Sequence, residues 1–284
     1  MKQGLKYLLF LFALAVPMVL AAQDVINAKE AADLSRSKEV LLISARQSTD
    51  YIKVHAPNSI NIDPAVLVDD MSMLKPAAVN ASYFGTQGVS NAKHLVIYDD
   101  GSMKSAGRLY WIFKYMGVEK VSVVDGGMKA WRINRLPVTK NPTVAKKASF
   151  TPKIKQQYLA DYNTVTKAIG QAGYVILDVR TPEEYNGTAA GYDVPGHIPG
   201  AINIDHTRLL TAKGELKAAS ELKTMFEAYG VTSNKKVIVY CRTSVRAGIV
   251  FLGLHSVLDY PNVMVYDGAY TEWMKRAPGN VETE

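Results

Sequence analysis

The chain has 284 residues, of which 48% are hydrophobic and 21% charged, with one cysteine. That is enough for two ordinary domains with buried cores, and it excludes a disordered chain and a disulfide-stapled one. The 33 Lys and Arg against 26 Asp and Glu give a formal net charge of +7, which suits small anions or acidic partners; no basic run interleaved with aromatics is present, so nucleic acid is not expected.

The first element is a leader. Lys2 and Lys6 precede an uncharged run from Leu8 to Leu20, and Ala21 and Ala22 follow. This is the charged, apolar and small-residue order of a secretory signal, and the run is shorter than the ~20 residues that span a bilayer. Residues 1–22 are therefore expected to be removed, after Ala21 or Ala22, and the mature protein to be periplasmic or secreted with no stable membrane insertion. A single cysteine in such an oxidising space cannot close an internal disulfide, which makes its setting informative.

The rest of the chain repeats itself. His55-Ala56-Pro57-Asn58-Ser59-Ile60-Asn61-Ile62-Asp63 corresponds to His197-Ile198-Pro199-Gly200-Ala201-Ile202-Asn203-Ile204-Asp205 at an offset of 142. The same offset relates Phe84, Gly88, Tyr98, Asp125, Gly126 and Trp131 to Phe226, Gly230, Tyr240, Asp267, Gly268 and Trp273. Upstream, Ser44-Ala45-Arg46 matches Asp178-Val179-Arg180 at 134, so the second copy carries eight extra residues around Gly187 to Val194. In each copy short apolar runs (Val40–Ser44, Leu95–Tyr98, Val121–Val124; Val175–Val179, Lys236–Tyr240, Val263–Tyr266) alternate with helical stretches such as Ser105–Met116 and Ala218–Ala228. Thr181-Pro182-Glu183-Glu184 has the form of a helix-capping box. This alternation predicts two α/β domains, each a mainly parallel sheet flanked by helices: an N-terminal one over 24–138, a Pro- and Lys-bearing linker over 139–157, and a C-terminal one over 158–284.

Cys241 ends the strand Lys236–Tyr240, and Arg242, Thr243, Ser244, Val245 and Arg246 lead into a helical run from Ala247. Backbone N–H groups of such a strand-to-helix loop converge on one point, and the two arginines add positive charge, so the loop favours a thiolate and cradles an anion. In the first copy Asp99 stands at the cysteine position and Lys104 at that of Arg246; a carboxylate there carries no sulfur and repels anions. His55 and His197 recur in both copies, one of which has no cysteine, which points to a structural role. Trp131 and Trp273 are expected to pack helices on the sheets.

The repeat, the segment Gly196-His197-Ile198-Pro199-Gly200-Ala201-Ile202-Asn203, the Cys241 loop, and Asp267-Gly268 with Trp273 resemble the rhodanese family, in particular its tandem-domain thiosulfate and 3-mercaptopyruvate sulfurtransferases. The resemblance implies two tandem rhodanese-like domains, of which the first is inactive, and a Cys241 persulfide that passes sulfane sulfur to a thiophilic acceptor, a small molecule or a protein thiol. It implies no metal and no organic cofactor. It implies donor binding by Arg180 and by the loop from Arg242 through Thr243, Ser244 and Val245 to Arg246. Thr243 replaces the lysine common in thiosulfate enzymes, and Arg242 and Ser244 replace the glycines common in mercaptopyruvate enzymes; the extra positive charge favours thiosulfate. Two rival readings stand beside this. A phosphatase of related architecture places five residues between cysteine and arginine, whereas four lie between Cys241 and Arg246. A non-enzymatic module would bind a partner or accept persulfide sulfur from another protein.

Overall fold

The computed structural model describes residues 24–283; the expected leader lies outside the described residues. The first domain contains β1 (Val25–Ile26), α1 (Ala28–Leu34), β2 (Val40–Ser44), α2 (Ser48–Tyr51), β3 (Ile60–Asn61), α3 (Ala77–Thr86), β4 (His94–Tyr98), α4 (Lys104–Tyr115), β5 (Val121–Val124) and α5 (Gly127–Ile133). The second contains β6 (Leu159–Ala160), α6 (Tyr162–Ala168), β7 (Tyr174–Asp178), α7 (Pro182–Tyr185), β8 (Ile202–Asn203), α8 (Ala219–Ala228), β9 (Lys236–Tyr240), α9 (Ala247–Leu252), β10 (Val263–Tyr266) and α10 (Ala269–Arg276).

Each domain holds a five-stranded sheet, ordered β1-β5-β4-β2-β3 in the first and β6-β10-β9-β7-β8 in the second, and every pairing is parallel. The central strands β4 and β9 are apolar on both faces because helices cover both, the usual condition of a parallel sheet. Ligands of such sheets bind beyond the carboxyl ends of the strands, and Asp99 and Cys241 are the residues that leave β4 and β9 there. The Thr181–Glu184 capping box forms as the sequence predicts.

The linker follows the surface of the first domain instead of standing free. The Ala148 and Lys153 amides donate to the Gly85 and Met116 carbonyls, Thr139 bridges His55, and Phe150 enters the core beside Phe84. Prolines and lysines mark the absence of regular structure there, and one aromatic ring supplies the anchor.

The two domains share one core. Leu109, Ile112 and Phe113 of α4 and Ile249, Val250 and Phe251 of α9 belong to a single buried cluster. The helices cross at Gly107 and Gly248, where a Cβ on Gly248 would stand 2.3 Å from the Arg108 nitrogen and the Gly107 carbonyl carbon. The repeat becomes a pseudo-two-fold in space. Asp125 accepts the Leu216 amide at 2.8 Å, and its counterpart Asp267 accepts the Leu74 amide at 2.7 Å. One contact breaks the symmetry: Arg108 donates to Asp267 at 2.6 Å, while Val250 occupies the position equivalent to Arg108.

Candidate active site

Cys241 is buried, 1% exposed, at the floor of its loop. Its carbonyl accepts the Tyr270 amide at 2.9 Å, and the Arg242 carbonyl accepts both the amide and the hydroxyl of Thr271. Ser244 makes the bend, with φ of 61° in the left-handed region. Its hydroxyl turns inward to the Tyr266 and Asp267 carbonyls, at 2.6 and 3.0 Å, and so pins the loop from behind. The backbone N–H groups of Arg242, Thr243, Ser244, Val245 and Arg246 have no acceptor among the described residues. Five donors without acceptors in one short loop are available to an anion.

Arg246 donates to Glu184 through both terminal nitrogens, at 2.5 and 2.8 Å. Burial alone would raise the Glu184 carboxyl; Arg246 and the Tyr192 hydroxyl hold it down at about 2. Burial likewise opposes the Arg246 charge, but Glu184 and the adjacent Cys241 sulfur raise its pKa above the ordinary arginine value. Tyr192 comes from the extra stretch that the first copy lacks. Its hydroxyl donates to Glu184, and its ring carries the Arg242 guanidinium 4.3 Å away. Arg242 also donates to the Gly191 carbonyl at 2.8 Å, so the extra stretch is strapped over the loop. Arg242 has no carboxylate partner among the described residues, and its charge remains uncompensated.

Arg180 is fully buried. Its Nε and Nη2 donate to the Asp178 carboxylate, Nη2 also to the Gly196 carbonyl at 2.8 Å, and its guanidinium lies 4.0 Å from the Tyr270 ring. Its Nη1 has no partner among the described residues. The side chain is thus built into the floor beneath Tyr270, and it reaches the cysteine loop through Tyr270. Glu184 and Tyr192 are the members of the site that sequence reasoning missed. Glu184 was legible only as a helix cap, a role it also fills by accepting the Thr181 amide. Tyr192 was legible only as part of an insertion.

His197 stacks on Tyr185 with ring centroids 3.6 Å apart and bonds the Tyr185 carbonyl through Nδ1. His55 does the same with Tyr51 at 3.9 Å. Both are structural, as their presence in both copies implies. Trp131 and Trp273 are buried, and each indole nitrogen ties down the chain that leaves its domain, at Pro137 and Asn280.

The corresponding loop of the first domain is already filled. Asp99 is 1% exposed, and its carboxylate accepts the amides of Gly101 at 2.8 Å, Met103 at 3.1 Å and Ala106 at 3.3 Å. Burial, reinforced by Asp100, raises its pKa despite these donors. Between the domains, a cavity of about 240 Å³ lies against the cysteine loop, lined by Thr243 and Val245 on one side and by Gln47, Asp63, Ser105 and Arg108 on the other.

The Rhodanese-like domain family matches residues 27–134 and 161–276, one match on each sheet. The chain belongs to the rhodanese family. It is similar to the 3-mercaptopyruvate sulfurtransferase of Escherichia coli K12, 33% identical over 264 residues that cover 86% of this chain and 92% of that protein. It is also similar to the thiosulfate sulfurtransferase of Bos taurus, 34% identical over 81% of this chain and 80% of that protein. Among solved structures, the 3-mercaptopyruvate sulfurtransferase SseA from Escherichia coli superposes with a TM-score of 0.80 at 31% identity, covering 87% of this chain and 99% of that one. An anaerobic ergothioneine biosynthesis enzyme from Chlorobium limicola shares the fold, with a TM-score of 0.84 at 20% identity over 95% of this chain and 73% of that one. This rhodanese is a tandem-domain sulfurtransferase. No helix among the described residues is long and apolar enough to cross a membrane.

Proposed function

We propose that this sulfurtransferase takes sulfane sulfur from thiosulfate onto Cys241 and gives it to a thiophilic acceptor. One observation carries the reading. In two loops of the same fold, Asp99 fills its own loop by accepting three amides, while at the Cys241 position the amides of Arg242 to Arg246 have no acceptor among the described residues. The Cys241 thiolate attacks the outer sulfur of thiosulfate. A sulfur–sulfur bond forms, the bond to the sulfonate sulfur breaks, and its electron pair leaves with sulfite. The persulfide anion then rests in the amide cradle. An acceptor thiolate attacks the outer sulfur, and the electron pair of the broken bond returns to Cys241. This is ping-pong covalent catalysis.

The loop residues divide the work. Arg242 supplies an uncompensated positive charge at the mouth and favours an inorganic dianion. Ser244 holds the bend, the Thr243 and Val245 amides face the anion, and Arg246 is fixed beside the sulfur by Glu184. Arg180 positions the floor. The leader over residues 1–22 supports export to the periplasm or beyond.

The test is an intact mass after incubation with thiosulfate, and separately with 3-mercaptopyruvate. Thiosulfate should add one sulfur atom, and Cys241→Ala should gain none. A gain with mercaptopyruvate alone overturns the donor, and a gain retained in Cys241→Ala overturns the residue. A mass that still includes residues 1–22 in protein recovered from its native host would sink the export reading.

A further inference from the structure

A groove of about 500 Å³ lies on the first domain at the amino ends of β2 and β4, the end of the sheet opposite Asp99. Leu41 and Ile60 belong to its apolar floor, and the extended linker forms one wall. Four cations line it, Arg36, Lys38, Lys93 and Lys146, and no acid does. Arg36 meets Asp33 at 3.3 Å, but both side chains are exposed, so the pair holds little energy. Lys38, Lys93 and Lys146 have no carboxylate partner among the described residues. Glu39 follows Lys38 in the chain yet stands outside the groove.

The second domain differs at the same corner. At the offset of 134, Gly170 stands for Arg36 and Ala172 for Lys38. Lys235 stands for Lys93 at the offset of 142, and its ammonium donates to the Ala172 carbonyl. Of these three positions only one carries a charge, and the protein's own backbone engages it. The fold itself therefore does not require the cations of the first domain. Like charges around one groove repel each other, and an anionic occupant relieves that repulsion. The linker wall adds a second feature: the N–H groups of Thr143, Val144, Ala145, Lys146 and Lys147 have no acceptor among the described residues. Extended chain with unpaired main-chain donors is a template for strand addition.

We propose that this groove docks an extended acidic segment of another protein. The segment pairs its main chain with residues 143–147 and sets carboxylates among Lys38, Lys93 and Lys146. Successive side chains of a strand point to opposite faces, so a sequence alternating acidic and apolar residues puts carboxylates on the rim and apolar groups over Leu41 and Ile60. A lipid headgroup or a free phosphate would use the cations alone and leave the linker amides to water. The groove is remote from Cys241 along the chain and in the fold, and the docking does not depend on which donor loads the sulfur.

The probe is the peptide acetyl-Glu-Val-Glu-Val-Glu-Val-amide, titrated into the full chain and followed by backbone amide NMR shifts. The shifts should concentrate at residues 36–41, 93 and 143–147. The same peptide with glutamine for glutamate should bind at least about tenfold more weakly, the worth of two exposed ion pairs at the upper end of their range. The double variant Lys38→Glu with Lys93→Glu should weaken the acidic peptide by about the same factor. Its thermal midpoint should stay that of the parent, since neither lysine has a carboxylate partner to lose. A strand turns the N–H groups of alternate residues to one edge, so N-methylation of either the glutamates or the valines should abolish binding. No shifts, shifts elsewhere, equal affinity for the glutamine peptide, binding that survives the double variant, or full binding by both methylated peptides overturns the proposal. Binding of phosphatidylglycerol vesicles in place of the peptide would make the surface a membrane contact and would equally overturn it.

Discussion

Arg246 and Glu184 are joined by two hydrogen bonds of 2.5 and 2.8 Å although 62 residues separate them in the chain. The arginine belongs to the cysteine loop, and the glutamate caps the first turn of α7. Tyr192 completes the group from the extra stretch. The charge beside the sulfur is thus held by Glu184, and Glu184 is held in turn by a tyrosine from a segment that only the second copy possesses.

Removing Glu184 leaves Arg246 mostly buried and without its partner. Glu184→Ala should lower stability by about 3 kcal/mol, the scale for breaking a buried pair from one side. It should also slow persulfide formation, because the guanidinium loses its fixed place. Urea unfolding and a thiosulfate–cyanide assay read the two effects; a variant as stable and as active as the parent would contradict the pairing.

The same pair sets an acid limit. The Glu184 carboxyl titrates at about 2 in the folded protein, below the ~4.3 of an unfolded chain. Its contribution to stability is therefore complete above about pH 4.3 and is lost as pH falls toward 2. Wild type should lose stability across that window more steeply than Glu184→Gln. Parallel curves would contradict the assignment.

The two interdomain aspartates should respond unequally. Asp267→Ala strands Arg108 and should cost about 3–5 kcal/mol, whereas Asp125→Ala removes an acceptor from one amide and should cost about 1–3 kcal/mol. Comparison of the two unfolding midpoints decides it, and equal losses would show that Arg108 adds nothing.

The first-domain loop should become an anion site once its own carboxylate is removed. Asp99→Ala leaves the Gly101, Met103 and Ala106 amides without their acceptor and should lower stability by about 1–3 kcal/mol. Sulfate should restore part of that loss. The measurement is the thermal midpoint against sulfate concentration with Cys241→Ala in the background, and an Asp99→Ala slope no steeper than that of Cys241→Ala alone would refute the cradle.

The helix crossing admits no side chain. Gly248→Ala should destabilise the protein by about 1–3 kcal/mol, although alanine favours helix by up to ~1 kcal/mol, because the new Cβ meets backbone at 2.3 Å. An unchanged or raised melting temperature would be the contrary result.

The architecture was legible because it depends on patterns that repeat. Apolar runs on both faces of β4 and β9 predict parallel strands, and a constant offset maps one domain onto the other. The cysteine loop was legible because its residues are consecutive. Glu184 and Tyr192 were not, since each meets the loop through chain distance that no local pattern encodes. Arg180 shows the opposite case: the resemblance implies donor binding there, but only the fold reveals that it is fully buried, paired with Asp178 and packed against the Tyr270 ring.

The exchange of Asp125 to Leu216 for Asp267 to Leu74 is the reciprocity of an isologous dimer, here drawn within a single chain. A domain expressed alone would bare the glycine-lined face of its crossing helix and leave its aspartate unanswered. The half that holds no cysteine therefore behaves as a permanent subunit, tethered so that the other half never meets dilution.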